Sequence, residues 1–242
     1  MQTIGRGLAA LVTGVATALL IVAVVIPLFL NPMWVAFEQG RTQALAWTGY
    51  DETQLQAATG SILHDLVIGP PSFDVVVGGE PVLDERERQH MRDVRGVFIG
   101  FFAATLVAAL AAVAIAISRR GRPAGRLATW RAVRNGAIGL VVGLVVVGGV
   151  AFVAFDVLFE TFHRLLFAGG SYDFDPSTER LVQLFPFAFW QESAIALGVV
   201  CIVLAAFVAA VASRRARAAS RAGYEAPGSA PTGSGTTPEP VR

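Results

Sequence analysis

Two of the three histidines in this 242-residue sequence, His90 and His163, lie just outside long apolar segments. Imidazole titrates near neutral pH, and it can act as a general acid, a general base or a nucleophile. Because each histidine lies at the edge of its apolar segment, the two are predicted to lie at matching depth on one side of a membrane. This placement suits acid/base or nucleophilic chemistry on a substrate in the outer leaflet.

Carboxylates accompany both histidines at helical spacing. On a continuous helix, Asp156 and Glu160 fall on the same face as His163, because the three are separated by four and three residues. His90 has a carboxylate about one turn away on either side. We hypothesise that Asp93 orients His90 and that Glu160 orients His163, since a carboxylate can fix the tautomer of an imidazole. The candidate supporting residues are Glu87, Asp93, Asp156 and Glu160.

Two other interpretations of the histidines remain open from periodicity alone. They could be structural residues that bind neighbouring acids and order the segments outside the membrane, because structural ion pairs also perturb titratable groups. They could also bind zinc together with one or two carboxylates. The sequence contains no H-x-x-x-H or H-E-x-x-H pair, and we therefore predict no metal and no other cofactor. The third histidine, His64, is most simply a surface or packing residue.

The composition indicates an integral membrane protein. Apolar residues make up 54% of the sequence and charged residues only 15%, which departs from the balance of a soluble domain. Four apolar runs are long enough to cross a hydrocarbon core about 30 Å thick, and their continuity indicates helices rather than barrel strands. We predict an all-α membrane protein, with the first run a retained anchor. The predicted transmembrane helices are 1–31, 97–118, 136–159 and 187–213.

Arginines predict the orientation, and they carry all the side-chain basic charge because the sequence has no lysine. The loop 119–135 holds six arginines and no acid, and four more arginines directly follow the fourth span, within residues 214–221. Residues 32–96 instead hold ten acids and five arginines. By the positive-inside rule, both termini are expected in the cytoplasm and the segments 32–96 and 160–186 outside. The net charge of +1 gives no support to nucleic-acid binding.

The two outer segments are predicted to form an extracytoplasmic cap of short helices with a possible β-hairpin. Asp51 and Asp84 each precede a Glu or Gln by three residues, which is the capping box that begins a helix. Gly78-Gly79 predicts the hairpin turn. Gly169-Gly170 is expected to end the third long helix, and Asp175-Pro176 to begin another short helix. The tail 214–242 is expected to be disordered and cytoplasmic.

Aromatic residues crowd the outer boundary of the third and fourth spans. An interfacial belt would explain Trp and Tyr at this level, but Phe predominates, which favours an apolar pocket that could hold acyl chains. A G-x-x-x-G motif at Gly139 and Gly143 is a weak indication of close helix packing. The candidate pocket residues are Met91, Phe159, Phe162, Phe167, Tyr172, Phe174 and Trp190.

Two segments carry a family resemblance. They are E-R-E-R-Q-H-M-R-D-V-R, from Glu85 to Arg95, and F-E-T-F-H-R-L-L-F-A-G-G-S-Y-D-F-D-P, from Phe159 to Pro176, which L-F-P-F-A-F-W follows up to Trp190. Both resemble signature segments of the lipoprotein intramolecular transacylase family. The resemblance extends over about residues 7–213. Tyr172 stands where many relatives are expected to have tryptophan, which keeps the position aromatic.

The resemblance implies four transmembrane helices, an outer cap and two catalytic histidines, which match His90 and His163. It implies transfer of an acyl chain from the sn-2 position of a bacterial lipoprotein's diacylglyceryl-cysteine to that cysteine's own α-amino group. The expected partners are the diacylated lipoprotein N-terminus and membrane lipid, in a bacterial cytoplasmic membrane with the active site on the outer face. The alternative function is a non-enzymatic membrane scaffold or adaptor whose histidines are structural.

Overall fold

The computed structural model describes residues 2–167 and 172–224, with side chains for 5–167 and 172–221. The first half comprises α1 (Gln2–Val25), extended by a 3-10 turn (Ile26–Leu28), then α2 (Pro32–Arg41), α3 (Ala44–Thr48), α4 (Glu52–Val67) and a hairpin of β1 (Val76–Val77) and β2 (Glu80–Pro81). The second half comprises α5 (Glu85–Arg119), α6 (Pro123–Leu166), α7 (Arg180–Leu184) and α8 (Phe187–Tyr224).

Four of these helices, α1, α5, α6 and α8, are long and apolar enough to cross a membrane. The predicted all-α membrane fold is confirmed. With 35 residues in α5 and 44 in α6, these helices are about 52 and 66 Å long at 1.5 Å per residue. Both exceed the hydrocarbon thickness of about 30 Å, so their ends extend past the apolar core. His90 and His163 lie on these extensions, at the end of the bundle that the cap covers.

The cap, formed by segments 32–96 and 160–186, has one apolar core. Buried side chains from α2, α4, the hairpin, α5 and α7 pack together with the first turn of α8. Its members include Val35, Leu55, Ile62, Phe73, Leu83, Leu184 and Phe189. The cap is therefore a packed unit seated on α5 and α8 rather than a pair of connecting loops.

Local hydrogen bonds explain where the cap helices begin. Asp51 and Asp84 each accept a bond from the backbone of the third helical residue, and Gln54 and Glu87 bond back to the N-cap backbone. Both predicted capping boxes are confirmed. The hairpin is also confirmed, because Gly78 and Gly79 adopt φ of 64° and 88°, the left-handed values that its two-residue turn requires.

Several helices extend beyond the predicted segment bounds. Helix α6 begins at Pro123, well inside the predicted loop 119–135, because proline is favoured in the first turn of a helix. Helix α8 continues to Tyr224, into the predicted disordered tail, and residues 225–242 lie outside the described residues. Gly169 and Gly170 also lie outside them.

The predicted short helix before the fourth span is present, but its start at Asp175-Pro176 was wrong, since α7 begins at Arg180. The Asp175 carboxylate instead accepts hydrogen bonds from the backbone N–H and the hydroxyl of Ser177, which closes a tight turn before the helix. Helices α2 and α3 were not predicted. Asn31 begins α2 by accepting bonds from the backbone of Met33 and Trp34.

A close contact between spans joins α1 to α6 at two glycines. A Cβ on Gly136 would lie 2.2 Å from the carbonyl oxygen of Gly14, so only glycine fits there. At the predicted packing glycines, Gly139 and Gly143, a Cβ would have no neighbour within 4 Å among the described residues. Helix α6 is also kinked at Ala154, where φ is −148° and ψ is 50°, so its last three turns, which carry His163, take their own direction.

Candidate active site

The two candidate histidines come together in the fold. His90 lies in the second turn of α5 and His163 in the last turn of α6, and their ring centroids are 6.0 Å apart with an interplanar angle of 21°. Both are buried, with 6% and 9% of their surfaces exposed. Since the two residues are far apart in sequence, only the extension of both helices into the cap brings them side by side.

Five aromatic rings surround the pair, and all five are predicted pocket residues. Phe167 contacts both histidines, with centroid distances of 4.8 Å to His90 and 5.5 Å to His163. Phe174 lies edge-on to His90 at 5.4 Å. The rings of Phe159, Phe162 and Tyr172 lie 4.1, 5.3 and 5.0 Å from His163. The histidines therefore lie in an apolar environment with little access for water.

A backbone carbonyl fixes the ring of His163. Its Nδ1 lies 2.7 Å from the carbonyl oxygen of Phe159, one turn earlier in α6. A carbonyl can only accept, so Nδ1 donates and carries the proton. In the neutral ring the lone pair is then on Nε2, which is the atom able to take up a proton from a substrate.

His90 is held in its neutral form. It precedes the apolar segment 97–118, and burial in the cap lowers its pKa to about 4, with a smaller contribution in the same direction from His163 and an opposing one from Asp93. Its Nδ1 is buried and has no hydrogen-bond partner among the described residues. A buried polar atom of this kind is costly unless something binds it, so the ring of His90 is available to a bound substrate.

The neighbouring carboxylates make their hydrogen bonds elsewhere. Asp93 accepts a bond from Gln89 at 3.0 Å, and Glu160 accepts bonds from Arg164 at 2.7 Å and from the hydroxyl of Tyr172 at 3.2 Å. Asp156 is exposed. Glu160 thus bonds to Tyr172, whose ring is tilted against that of His163, rather than to the imidazole itself.

Glu87 ties the helix that carries His90 to α7. One carboxylate oxygen accepts a bond from the backbone of Asp84 at 2.7 Å, and the other accepts one from the backbone of Leu181 at 2.6 Å. The side chain is almost fully buried, and this burial raises the pKa of Glu87, although the two backbone bonds act in the opposite direction.

Arg86 is a site residue that sequence reasoning missed. It lies one turn before His90 on α5, donates to the carbonyl of Asp173 at 2.9 Å and pairs with Glu179. Its guanidinium also lies 4.9 Å from the ring centre of Phe174, the ring that packs edge-on against His90. No local signal identifies it, because its partners are 87 and 93 residues away.

Two predicted pocket residues pack with the cap core instead. Met91, the residue immediately after His90, is buried among the core side chains of the cap. Trp190 packs against Phe185 and Phe189, with centroid distances of 6.1 and 5.4 Å. Both positions were predicted from their place near the boundary, which does not show the side of the helix on which a residue lies.

The described part of the chain contains no group of three or more His, Cys, Asp or Glu side chains that could hold a metal ion.

Comparisons with known proteins identify a family and a shared fold. The family model of the lipoprotein intramolecular transacylase Lit matches residues 11–190. A solved structure of the membrane integral lipoprotein intramolecular transacylase Lit from Bacillus cereus is similar, with 16% identity, a TM-score of 0.73, and coverage of 91% of this chain and 99% of that one. A search of curated proteins found no match.

Two further structures of the Bacillus cereus protein, one with a histidine-to-arginine and one with a histidine-to-alanine substitution, each have 15% identity and a TM-score of 0.69. The two matches cover 96% and 97% of those chains, respectively, and each covers 91% of this chain. At such identity the structures show the shared fold. The family model covers most of the sequence, and both motif segments with His90 and His163 lie within it. The chain therefore belongs to the lipoprotein intramolecular transacylase family, a family of membrane enzymes.

Proposed function

We propose that this protein transfers the sn-2 acyl chain of a lipoprotein's diacylglyceryl-cysteine to the α-amino group of the same cysteine. The observation that carries the proposal is the pair His90 and His163, brought from two helices into one aromatic pocket. The new bond is the amide C–N bond, and the bond that breaks is the ester C–O bond. The proton lost by the amine passes to the glyceryl oxygen, which leaves the lyso form.

The two histidines are assigned different roles. The Nδ1–H of His163 bonds to the carbonyl of Phe159, so its Nε2 is the base that takes the proton from the attacking amine and returns it to the departing oxygen. His90 stays neutral, and its N–H donates to the tetrahedral oxyanion. Asp93 and Glu160 are proposed to support the site through Gln89 and Tyr172 rather than by bonding to the imidazoles.

The aromatic surroundings support acyl transfer over hydrolysis. Phe159, Phe162 and Phe167 would hold the acyl chain while they exclude water, which would otherwise compete with the amine for the ester. Donor and acceptor belong to one molecule, so positioning alone can supply much of the rate. The reaction exchanges an ester for a more stable amide and requires no nucleotide.

The charge pattern supports an active site on the outer face. Arginines lie at the inner ends of α5, α6 and α8, whereas the segment 32–96 is acidic. Cytoplasmic arginines are the usual arrangement in membrane proteins. The proposed setting is a bacterial cytoplasmic membrane with both termini inside.

Single-histidine variants test the proposal. Purified protein in liposomes is given a synthetic diacylated lipopeptide, and the N-acylated product is quantified by tandem mass spectrometry. His90→Ala and His163→Ala should each lower the rate by about 10²-fold or more, the usual contribution of an acid/base group.

His64→Ala is the matched control, because His64 is an exposed cap histidine whose ring lies beside Asp65. It should leave the rate unchanged. Full activity in the His90→Ala/His163→Ala double variant would refute the assignment and would favour a structural role for the pair, as in a scaffold.

A further inference from the structure

Helix α2 is inverted relative to a helix on a water-exposed surface. Its buried residues are Val35, Glu38 and Gln39, so two of the three are polar. Its outward face carries Met33 and Phe37, which are 81% and 57% exposed. A helix packed on a soluble domain buries its apolar stripe and exposes its polar one. The solvent that α2 faces is therefore apolar.

Gln39 is directed inward because it has hydrogen-bond partners there. Gln39 donates 3.0 Å bonds to the hydroxyl of Thr59 and to the carbonyl of Leu184. Glu38 lies beneath Arg41, with 3.9 Å between its carboxylate and the guanidinium. These bonds hold α2 with its polar side against the cap and leave the apolar side without a protein partner among the described residues.

Contacts with α8 fix the level of α2 along the bundle. The indole N–H of Trp34 donates to the hydroxyl of Ser193 at 3.1 Å, and Arg41 pairs with Glu192 at 2.7 Å. Trp34 and Arg41 are about 10 Å apart along α2, yet both contact adjacent residues of α8. Helix α2 therefore crosses α8, at a level about 8 Å along it from its first residue, Phe187.

The preceding span leads to the same depth. The apolar segment of α1 ends at Leu28, and α2 begins at Pro32, so the chain has no room to leave the membrane surface in between. The ring of Phe29 packs edge-on against Trp34 at 4.7 Å. Helix α3 continues the pattern, with Ala44 and Thr48 buried and Leu45 and Trp47 exposed at 42% and 52%.

We infer that α2 and α3 lie in the lipid leaflet on the cap side, with their exposed face at the boundary between headgroups and acyl chains. The face consists of Met33, Ala36, Phe37, Leu45 and Trp47. Arg41, whose guanidinium is 5.8 Å from the ring centre of Phe37, reaches the headgroup phosphates. The occupant of this face is phospholipid, because the face is continuous with the lipid-exposed surface of α1. The cap is thereby anchored to the membrane independently of the reaction that it covers.

Spin-label depth measurements test this inference on the full chain in liposomes. A single cysteine is placed at Met33 or Phe37 in a Cys201→Ala background, and the label's collision rates with oxygen, which concentrates in lipid, and with a water-soluble nickel complex are compared. Both labels should collide more with oxygen than with nickel. The matched control is a cysteine at Val76, an exposed apolar residue of the hairpin with 61% exposure, where nickel should dominate. Nickel dominance at Met33 and Phe37, or protection from both reagents, would overturn the inference.

Methionine oxidation tests the unmodified chain. Met33 is highly exposed and Met91 is buried, so in water Met33 would react far faster with hydroxyl radicals. In liposomes the oxidation rate of Met33 should fall to within a few fold of that of Met91. Rapid oxidation of Met33 in intact liposomes would contradict the lipid assignment even if the cysteine variants failed to fold.

Discussion

The chemistry of the site depends on which nitrogen of each imidazole is free. The carbonyl of Phe159 occupies Nδ1 of His163, whereas the Nδ1 of His90 has no partner in the described part of the chain. A helix carbonyl one turn earlier is a rigid partner because it moves only with the backbone. The free atoms therefore differ between the two rings, and this asymmetry is the reason that we propose His163 as the base and His90 as the neutral donor.

Titration of His90 tests whether its ring is uncharged in the folded protein. Its pKa is lowered from 6.5 to about 4, so at about pH 5 the ring should still be uncharged. Because the folded-state pKa lies below the unfolded value, this group contributes stability above pH 6.5 that is lost as pH falls toward 4. Histidine-selective NMR, with the signal assigned by its loss in His90→Gln, should show a midpoint near 4. A midpoint at or above 6.5 would contradict a buried, neutral ring.

Arg86 is predicted to hold in place the segment that carries Phe174. Without its guanidinium, the segment that carries Phe174 loses its bonds to α5, and water should reach His90. Arg86→Gln should therefore reduce kcat by about tenfold through lost positioning, and should raise the NMR midpoint of His90 from about 4 toward 6.5. Compared with Arg86→Gln, Arg86→Lys should restore part of the kcat and part of the lowered His90 midpoint, because lysine keeps the positive charge but lacks the planar guanidinium that donates to two partners.

Arg88→Gln is the control for Arg86. Arg88 also makes two ion pairs on the first turn of α5, with Asp74 and Glu85, but these partners lie on another face of the helix. It should leave the His90 midpoint and kcat near their wild-type values. Equal effects of the two substitutions would show a general loss of structure rather than positioning.

At the level of elements, most patterns between residues close in sequence predicted the structure correctly, whereas contacts between distant residues could not be predicted. The capping boxes and the Gly78-Gly79 turn depend on residues that are close in sequence, so their patterns predicted the structure correctly. Helix α2 was missed because apolar residues lie on both its sides, Val35 inward and Met33 and Phe37 outward, so its sequence shows no single apolar stripe. The pair His90 and His163 could be predicted from depth, but Arg86 could not, since its partners are distant in sequence.

The close approach of α1 and α6 predicts a strong difference between two nearby glycines. Gly136→Ala places a methyl group against the backbone of Gly14, and should destabilise the bundle by about 1–3 kcal/mol, the usual effect of overpacking. Gly139→Ala meets open space and should be neutral or stabilising by up to about 1 kcal/mol from helix propensity. Thermal unfolding in detergent compares them, and equal midpoints would argue against the Gly14–Gly136 contact.

At the scale of the whole molecule, the long helices serve two purposes. Their central parts cross the membrane, and the ends of α5 and α6 rise into the cap and bring the histidines together. The cap core packs around these ends, and the inverted α2 rests against α8 at the membrane surface. In the proposed function, this arrangement lets an acyl chain stay in lipid while the polar N-terminus of a lipoprotein meets the histidines.

The central claim is that the acyl donor and the acyl acceptor belong to one molecule. Intact-mass and fragmentation analysis of a synthetic diacylated lipopeptide, incubated with the purified protein in liposomes, tests it most directly. We expect an unchanged intact mass, because the product is an isomer, together with fragments that place one acyl chain on the α-amino group and leave a single chain on the glyceryl group. A gain of one acyl chain with release of lysophospholipid, or loss of one by hydrolysis, would contradict it.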